Sequence, residues 1–103
     1  MNMEIAKSKN NILIRLTEER WRHIVENHDD LAGYYDEVLG AIEDPDYIIQ
    51  GYGEAITALK EVEKEKFLTV VYKEFDTDGF IITAYFSSKI KLDKEVILWQ
   101  KRL

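Results

Sequence analysis

Hydrophobic positions change their period along the chain. The run NILIRL, Asn11 to Leu16, is short and mostly apolar and predicts a strand. Thr17 then offers an N-cap, and Glu18 and Glu19 place carboxylates where a helix dipole favours them. A first helix is expected from about Glu18 to Asn27. At about 100° per residue, Trp21, Ile24, Val25 and His28 form one apolar-side stripe, and Arg20, His23 and Asn27 fall together on its edge. Asp30 caps an expected second helix, with Leu31, Tyr35, Val38, Leu39 and Ile42 on one stripe. Pro45 disfavours helical geometry at Asp44, so that helix stops there.

Beyond Pro45 the pattern turns to β. Tyr47 to Gln50 reads as a brief strand and Gly51-Tyr52-Gly53 as a turn. Glu54 to Val62, Lys66 to Phe75 and Gly79 to Ser88 read as consecutive strands, and Val96 to Gln100 as a short last one. The expected class is α+β, with two N-terminal helices on one face of a four-stranded antiparallel sheet.

Turn chemistry suggests a register. Asp76-Thr77-Asp78-Gly79 suits a bulged hairpin with a left-handed Gly79, and Lys64-Glu65 suits a two-residue turn. These place Lys73 opposite Thr83, Val71 opposite Tyr85, Thr69 opposite Ser87, Lys60 beside Thr69 and Ala58 beside Val71. Leu59, Leu68, Val70, Tyr72, Ile82, Ala84 and Phe86 then face the helices. Lys60, Thr69, Lys73, Thr83, Tyr85 and Ser87 share the other face. That second face is either a solvated surface or a working groove.

Composition narrows the classes. The chain has 103 residues, 46% hydrophobic and 33% charged, which suits one globular domain. There is no cysteine, so disulfides and thiolate metal sites are excluded. No signal peptide or membrane span is read, and a cytoplasmic protein is expected. A net charge of −6 argues against a broad nonspecific nucleic-acid footprint.

Both histidines fall in RWRHIVENH, Arg20 to His28. They are five residues apart, not the i, i+4 spacing of a helical zinc pair. AIEDPD lacks the spacing of a calcium loop, and GYGEA is neither a P-loop nor a dinucleotide fingerprint. His28 lies in line with the core near the helix end, where it can cap a carbonyl or sit partly buried. His23, beside Arg20, borders the solvent and can reach toward the polar face.

LTEERWRHIVENHDDLAGYYDEVLGAIEDPDYI, with ALKEV, KFLTVVYKE and GFIITAYFSSKIK, resembles the phage-associated branch of the barnase–EndoU–colicin–RelE (BECR) nuclease-like superfamily. The resemblance spans about Ile14 to Trp99. It implies a helical part on a four-stranded antiparallel sheet, RelE- or barnase-like, whose exposed side forms the groove of a metal-independent ribonuclease without cofactor. The matching site positions are Arg20, His23, Lys60, Thr83, Tyr85 and Ser87, with His28 second in rank. The implied reaction is transesterification: a base takes the ribose 2′-OH proton, the oxygen attacks phosphorus, and an acid protonates the leaving 5′-oxygen. His23 is the expected acid or base. Arg20 and Lys60 would stabilise the phosphorane, with Tyr85 or Thr83 positioning the phosphate. Expected partners are RNA and, for a toxin-like activity, a neutralising protein. The alternative is a noncatalytic protein- or nucleotide-binding module of the same fold.

Overall fold

The computed structural model describes residues 3–102. The first strand, β1, spans Met3–Lys7, and β2 spans Leu13–Thr17. Helix α1 covers Glu18–Asn27, with the expected cap: Thr17 Oγ1 accepts the Arg20 backbone N–H at 3.1 Å. A 3-10 turn at Asp29–Leu31 and a bend through Gly33 (φ 88°) precede α2, Tyr35–Glu43. The second helix therefore begins later than Asp30, because the chain turns in the left-handed region that glycine tolerates. It ends before Pro45, as the sequence predicts. The other strands are β3 Tyr47–Gln50, β4 Ile56–Glu63, β5 Lys66–Glu74, β6 Asp78–Ser87 and β7 Ile97–Gln100.

The α+β class holds, but the four-stranded antiparallel sheet is corrected. The sheet has seven strands in the order β1-β2-β6-β5-β4-β3-β7. It is mixed, because β2 runs parallel to β6 while the other neighbouring strands are antiparallel. The central β3–β6 meander is the predicted part. The unpredicted strand, β1, alternates Ile5 outward and Ala6 inward, a pattern too short to stand out in MEIAK. Both outer ends of the sheet reach the C-terminal end of α2. The Lys7 backbone N–H donates to the Glu43 carboxylate at 3.4 Å, and Lys101 pairs with Asp44 at 3.5 Å. Lys9 Nζ lies 5.1 Å from the centre of the Trp99 ring, joining the β1–β2 turn to β7.

The helices cover one face. Ile14, Leu16, Ile24, Leu31, Val38, Ile42, Leu68, Val70, Tyr72 and Ala84 are buried together there. Trp21 meets Tyr35 edge-to-face at 5.2 Å over this core. Each of the larger apolar side chains contributes about 1.5–3 kcal/mol by leaving water.

Two β-bulges revise the predicted register. The Lys64-Glu65 turn forms, with Glu63 opposite Lys66, but the ladder then shifts between Glu61 and Glu63. Beyond it Leu59 pairs with Thr69 and Lys60 with Leu68, so β4 is flipped relative to the expectation. Ala58 now faces the helices, while Leu59 joins Ile49 and Phe67 beneath Ile90 and Leu92 on the far side. The prediction had assumed water on that side. Residues 88–94 instead cover part of it, and burying Leu59 there is worth about 2 kcal/mol. The second bulge skips Ile82, so that Tyr72 pairs with Ile81 and Val71 with Thr83. Ile81 thus turns to the helix side and is buried.

The β5–β6 turn is also tighter than expected. The Phe75 N–H donates to the Asp78 carbonyl at 2.7 Å, leaving Asp76 and Thr77 as the loop. Gly79 is not left-handed. It pairs with Ile14 in the parallel ladder, where a Cβ would collide with the Lys73 carbonyl and the Ile14 side chain.

Candidate functional site on the open sheet face

From the end of β6 the chain crosses the open face to reach β7 on the far edge. Ile90 and Leu92 on this crossing segment seal Leu59, Ile49 and Phe67. Below the seal remains a cleft of about 460 Å³. Its floor includes Thr57, Thr69, Val71 and Tyr85, and Ile90 and Glu95 stand on its wall. Tyr52, in the turn after β3, also lines it and is 99% exposed. Alternation places Lys73 on the same face as Thr69 and Val71, further along β5 and opposite Phe80. Glu95 is the one charged side chain lining the cleft among the described residues.

The histidine that meets this face is His28. The β2 ladder along β6 stops at Arg15–Phe80, and α1 packs beside β6. His28 is the C-cap of α1: its N–H donates to the Ile24 carbonyl at 2.8 Å. Its ring centroid lies 5.7 Å from that of Tyr85, with the planes tilted by 35°. An imidazole, able to donate or accept a proton near neutrality, is thereby held against a phenol bordering the cleft.

The predicted site residues divide. Thr83, Tyr85 and Ser87 alternate along the open side of β6, with Thr83 opposite Val71 and Tyr85 opposite Thr69. The Ser87 hydroxyl accepts the Lys89 backbone N–H at 3.1 Å. Lys60 is on the other side of the sheet. It lies 3.4 Å from Asp44 and 3.9 Å from Asp46, beside α2. His23 is 60% exposed, 4.0 Å from Glu26 on its own helix. Its carbonyl accepts the Asn27 side-chain amide at 2.9 Å, and among the described residues no ring contact or hydrogen bond joins it to β6. Arg20 is exposed in the first turn of α1 and forms no ion pair among the described residues. The expected convergence of His23 and Lys60 with the β6 row therefore does not occur.

Thr57, Tyr52 and Glu95 were outside the expected set. Their signal was weak but present: Ile90 and Leu92 alternate with Lys89, Lys91 and Asp93, the pattern of a segment lying on a sheet. Reading that segment as a cover would have located the cleft beside it. The Thr69 hydroxyl, fully buried, donates to the Phe67 carbonyl at 3.4 Å.

Tyr52 and Tyr85 give the cleft aromatic faces against which a flat group can lie, and the His28 ring stands beside Tyr85 at its border. Among the described residues no group of three or more histidine, aspartate or glutamate side chains is placed to hold a metal ion. No helix is long and apolar enough to cross a membrane. Comparison with protein-family models, curated proteins and solved structures finds no significant match to this chain.

Proposed function

We propose that the open face receives single-stranded RNA and that His28 serves there in metal-independent phosphodiester cleavage. The observation that carries this reading is the 5.7 Å approach of His28 to Tyr85 at the side of the cleft. The resemblance of the sequence to the BECR nucleases supports the same reaction class. Tyr52 and Tyr85 supply faces on which a base can stack. In the proposed reaction His28 removes the 2′-hydroxyl proton and the oxygen attacks phosphorus. The bond to the 5′-oxygen breaks, that oxygen takes a proton from solvent water, the His28 imidazolium returns its proton to solvent, and a 2′,3′-cyclic phosphate remains. The Tyr85 phenol hydrogen-bonds a non-bridging oxygen, and Lys73 meets an adjacent phosphate.

A noncatalytic RNA- or protein-binding module is favoured by a different observation. The cleft's charged lining residue is the carboxylate Glu95, and Lys60 is committed to Asp44 and Asp46 behind the sheet. Incubation of mixed-sequence RNA with wild type, His23→Ala and His28→Ala protein in EDTA separates the two. Cleavage by wild type and His23→Ala but not by folded His28→Ala is the expected result. Binding without cleavage by wild type rejects the enzyme and leaves the module.

A further inference from the structure

Residues 88–94 cover the open face over β3, β4 and β5. Over β1, β2 and the start of β6, the same face leaves Ile5, Leu13 and Phe75 exposed. Ala6, Ile14 and Ile81 are buried toward the helices, so alternation turns Ile5, Leu13, Arg15 and Phe80 the other way. The ladders line up Ile5, Arg15, Phe80 and Lys73 in one row across four strands. Just past the end of β5, the Phe75 ring lies 5.8 Å from that of Phe80, with the planes tilted by 32°. Such a cross-strand pair steadies the hairpin through one face of each ring. Phe75 is nevertheless 53% exposed, so aromatic surface remains in water beside the pair.

Charge bears on what can cover these rings. Arg15 pairs with Asp78, which cancels both charges. Lys7 and Lys73 share the face by alternation, and neither forms an ion pair among the described residues. The carboxylate that opposes them is that of Asp76, in the turn. In a chain of net charge −6, this surface is therefore locally positive. An apolar partner laid over Phe80 would cover Lys73 without a counter-charge, which is costly. A second copy of the chain would bring its own lysines to the same place. A single nucleic-acid strand suits both features, since bases stack on rings and cations follow the phosphates. Phe80 stands five residues before Tyr85 on β6, roughly 16 Å along the strand. We infer that Phe75 and Phe80 form a second stacking platform for the RNA that enters the cleft. A base several nucleotides from the reacting bond rests on Phe75, and Lys73 holds a phosphate between platform and cleft. This rests on the reading of the open face as an RNA surface and adds a length requirement to it. Only a strand that reaches from Tyr85 to Phe80 gains the second contact.

The test uses 2′-O-methylated RNA, which the proposed reaction does not cleave, and follows backbone amide shifts of the isotopically labelled full chain. A dinucleotide should shift Thr83 and Tyr85. A hexanucleotide should shift Phe75 and Phe80 as well and bind at least about tenfold more tightly. Phe75→Leu with Phe80→Leu keeps apolar bulk but removes the rings. It should lose that gain and keep the dinucleotide shifts, while the paired tyrosine replacements should keep both. Lys73→Gln should flatten the slope of log affinity against log salt for the hexanucleotide by about 0.7, the value of one phosphate on a single strand. Full-strength hexanucleotide binding by the leucine variant, or hexanucleotide shifts confined to Thr83 and Tyr85, overturns the platform and leaves the cleft reading intact. Shifts at Phe75 and Phe80 without any at Tyr85 keep the platform and reject the cleft reading. No shift with either RNA overturns both. Sedimentation of wild type as a dimer that Ile5→Lys dissociates assigns the face to a second copy and also overturns the platform.

Discussion

Lys60 stands opposite Leu68 on the neighbouring strand, and its ammonium group therefore emerges beneath α2 rather than beside Tyr85. A conservative loss of that charge, Lys60→Met, should leave RNA binding and cleavage at the open face unchanged while slightly lowering stability. Parallel measurements of cleavage rate and urea midpoint check this. A large fall in rate with an unchanged midpoint would contradict the assignment of faces.

Gly79 closes the seam between β2 and β6. Gly79→Ala drives a methyl group against the Lys73 carbonyl and the Ile14 side chain. The expected loss is about 2–3 kcal/mol, the scale of overpacking in a well-filled interior. The urea midpoint should fall with little change in slope. A midpoint within error of wild type would mean that the seam accommodates a side chain.

Asp44 titrates below its ordinary value because Lys60 donates a hydrogen bond to it and the charges of Lys60 and Lys101 add to the effect. A depressed carboxyl contributes stability above its unfolded-state value, near pH 4, and loses that contribution as pH falls through the folded-state value. Wild type and a Lys60→Met/Lys101→Met variant should therefore differ most above about pH 4 and converge in stronger acid. The carboxylate is exposed, so molar salt should shrink the difference. Acid unfolding followed by circular dichroism checks the convergence.

Tyr72 is buried, and its hydroxyl has no hydrogen-bond partner among the described residues. Burial raises its ionisation well above the ordinary tyrosine value, with a smaller contribution from Glu74. The folded state keeps the proton where the unfolded state loses it, so stability should fall as pH rises past about 10. Tyr72→Phe should remove that dependence. It also removes a buried, unsatisfied hydroxyl, a type of group that costs roughly 1–3 kcal/mol, so the variant should be at least as stable as wild type at neutral pH. Urea unfolding of wild type and Tyr72→Phe at neutral pH and above pH 10 checks both statements.

The local features were the legible ones. Thr17 followed by two glutamates marked the start of α1, and Pro45 marked the end of α2. Tyr47–Gln50 was readable from its apolar run between turn residues. What lay beyond reach depended on partners distant in sequence. The bulge beside Val62 is explained by the burial of Leu59 under Ile90 and Leu92, which no hairpin rule contains. Gly79 was read as a turn residue because the closeness of Ile14 cannot be seen in TDGF. On the open face, alternation correctly grouped Thr83, Tyr85 and Ser87. It could not show that His28 rather than His23 would meet them, since that depends on where α1 lies along β6.

The parallel seam also orders the assembly of the molecule. Arg15 and Asp78, joined across it, lie sixty-three positions apart. The β3–β6 meander can close turn by turn through short loops, whereas the N-terminal hairpin has no docking strand until β6 exists. Pairings of this length delay folding because their entropic cost precedes their reward. The β1–β2 hairpin, although made before the meander, is thus among the last parts of the sheet to find its place.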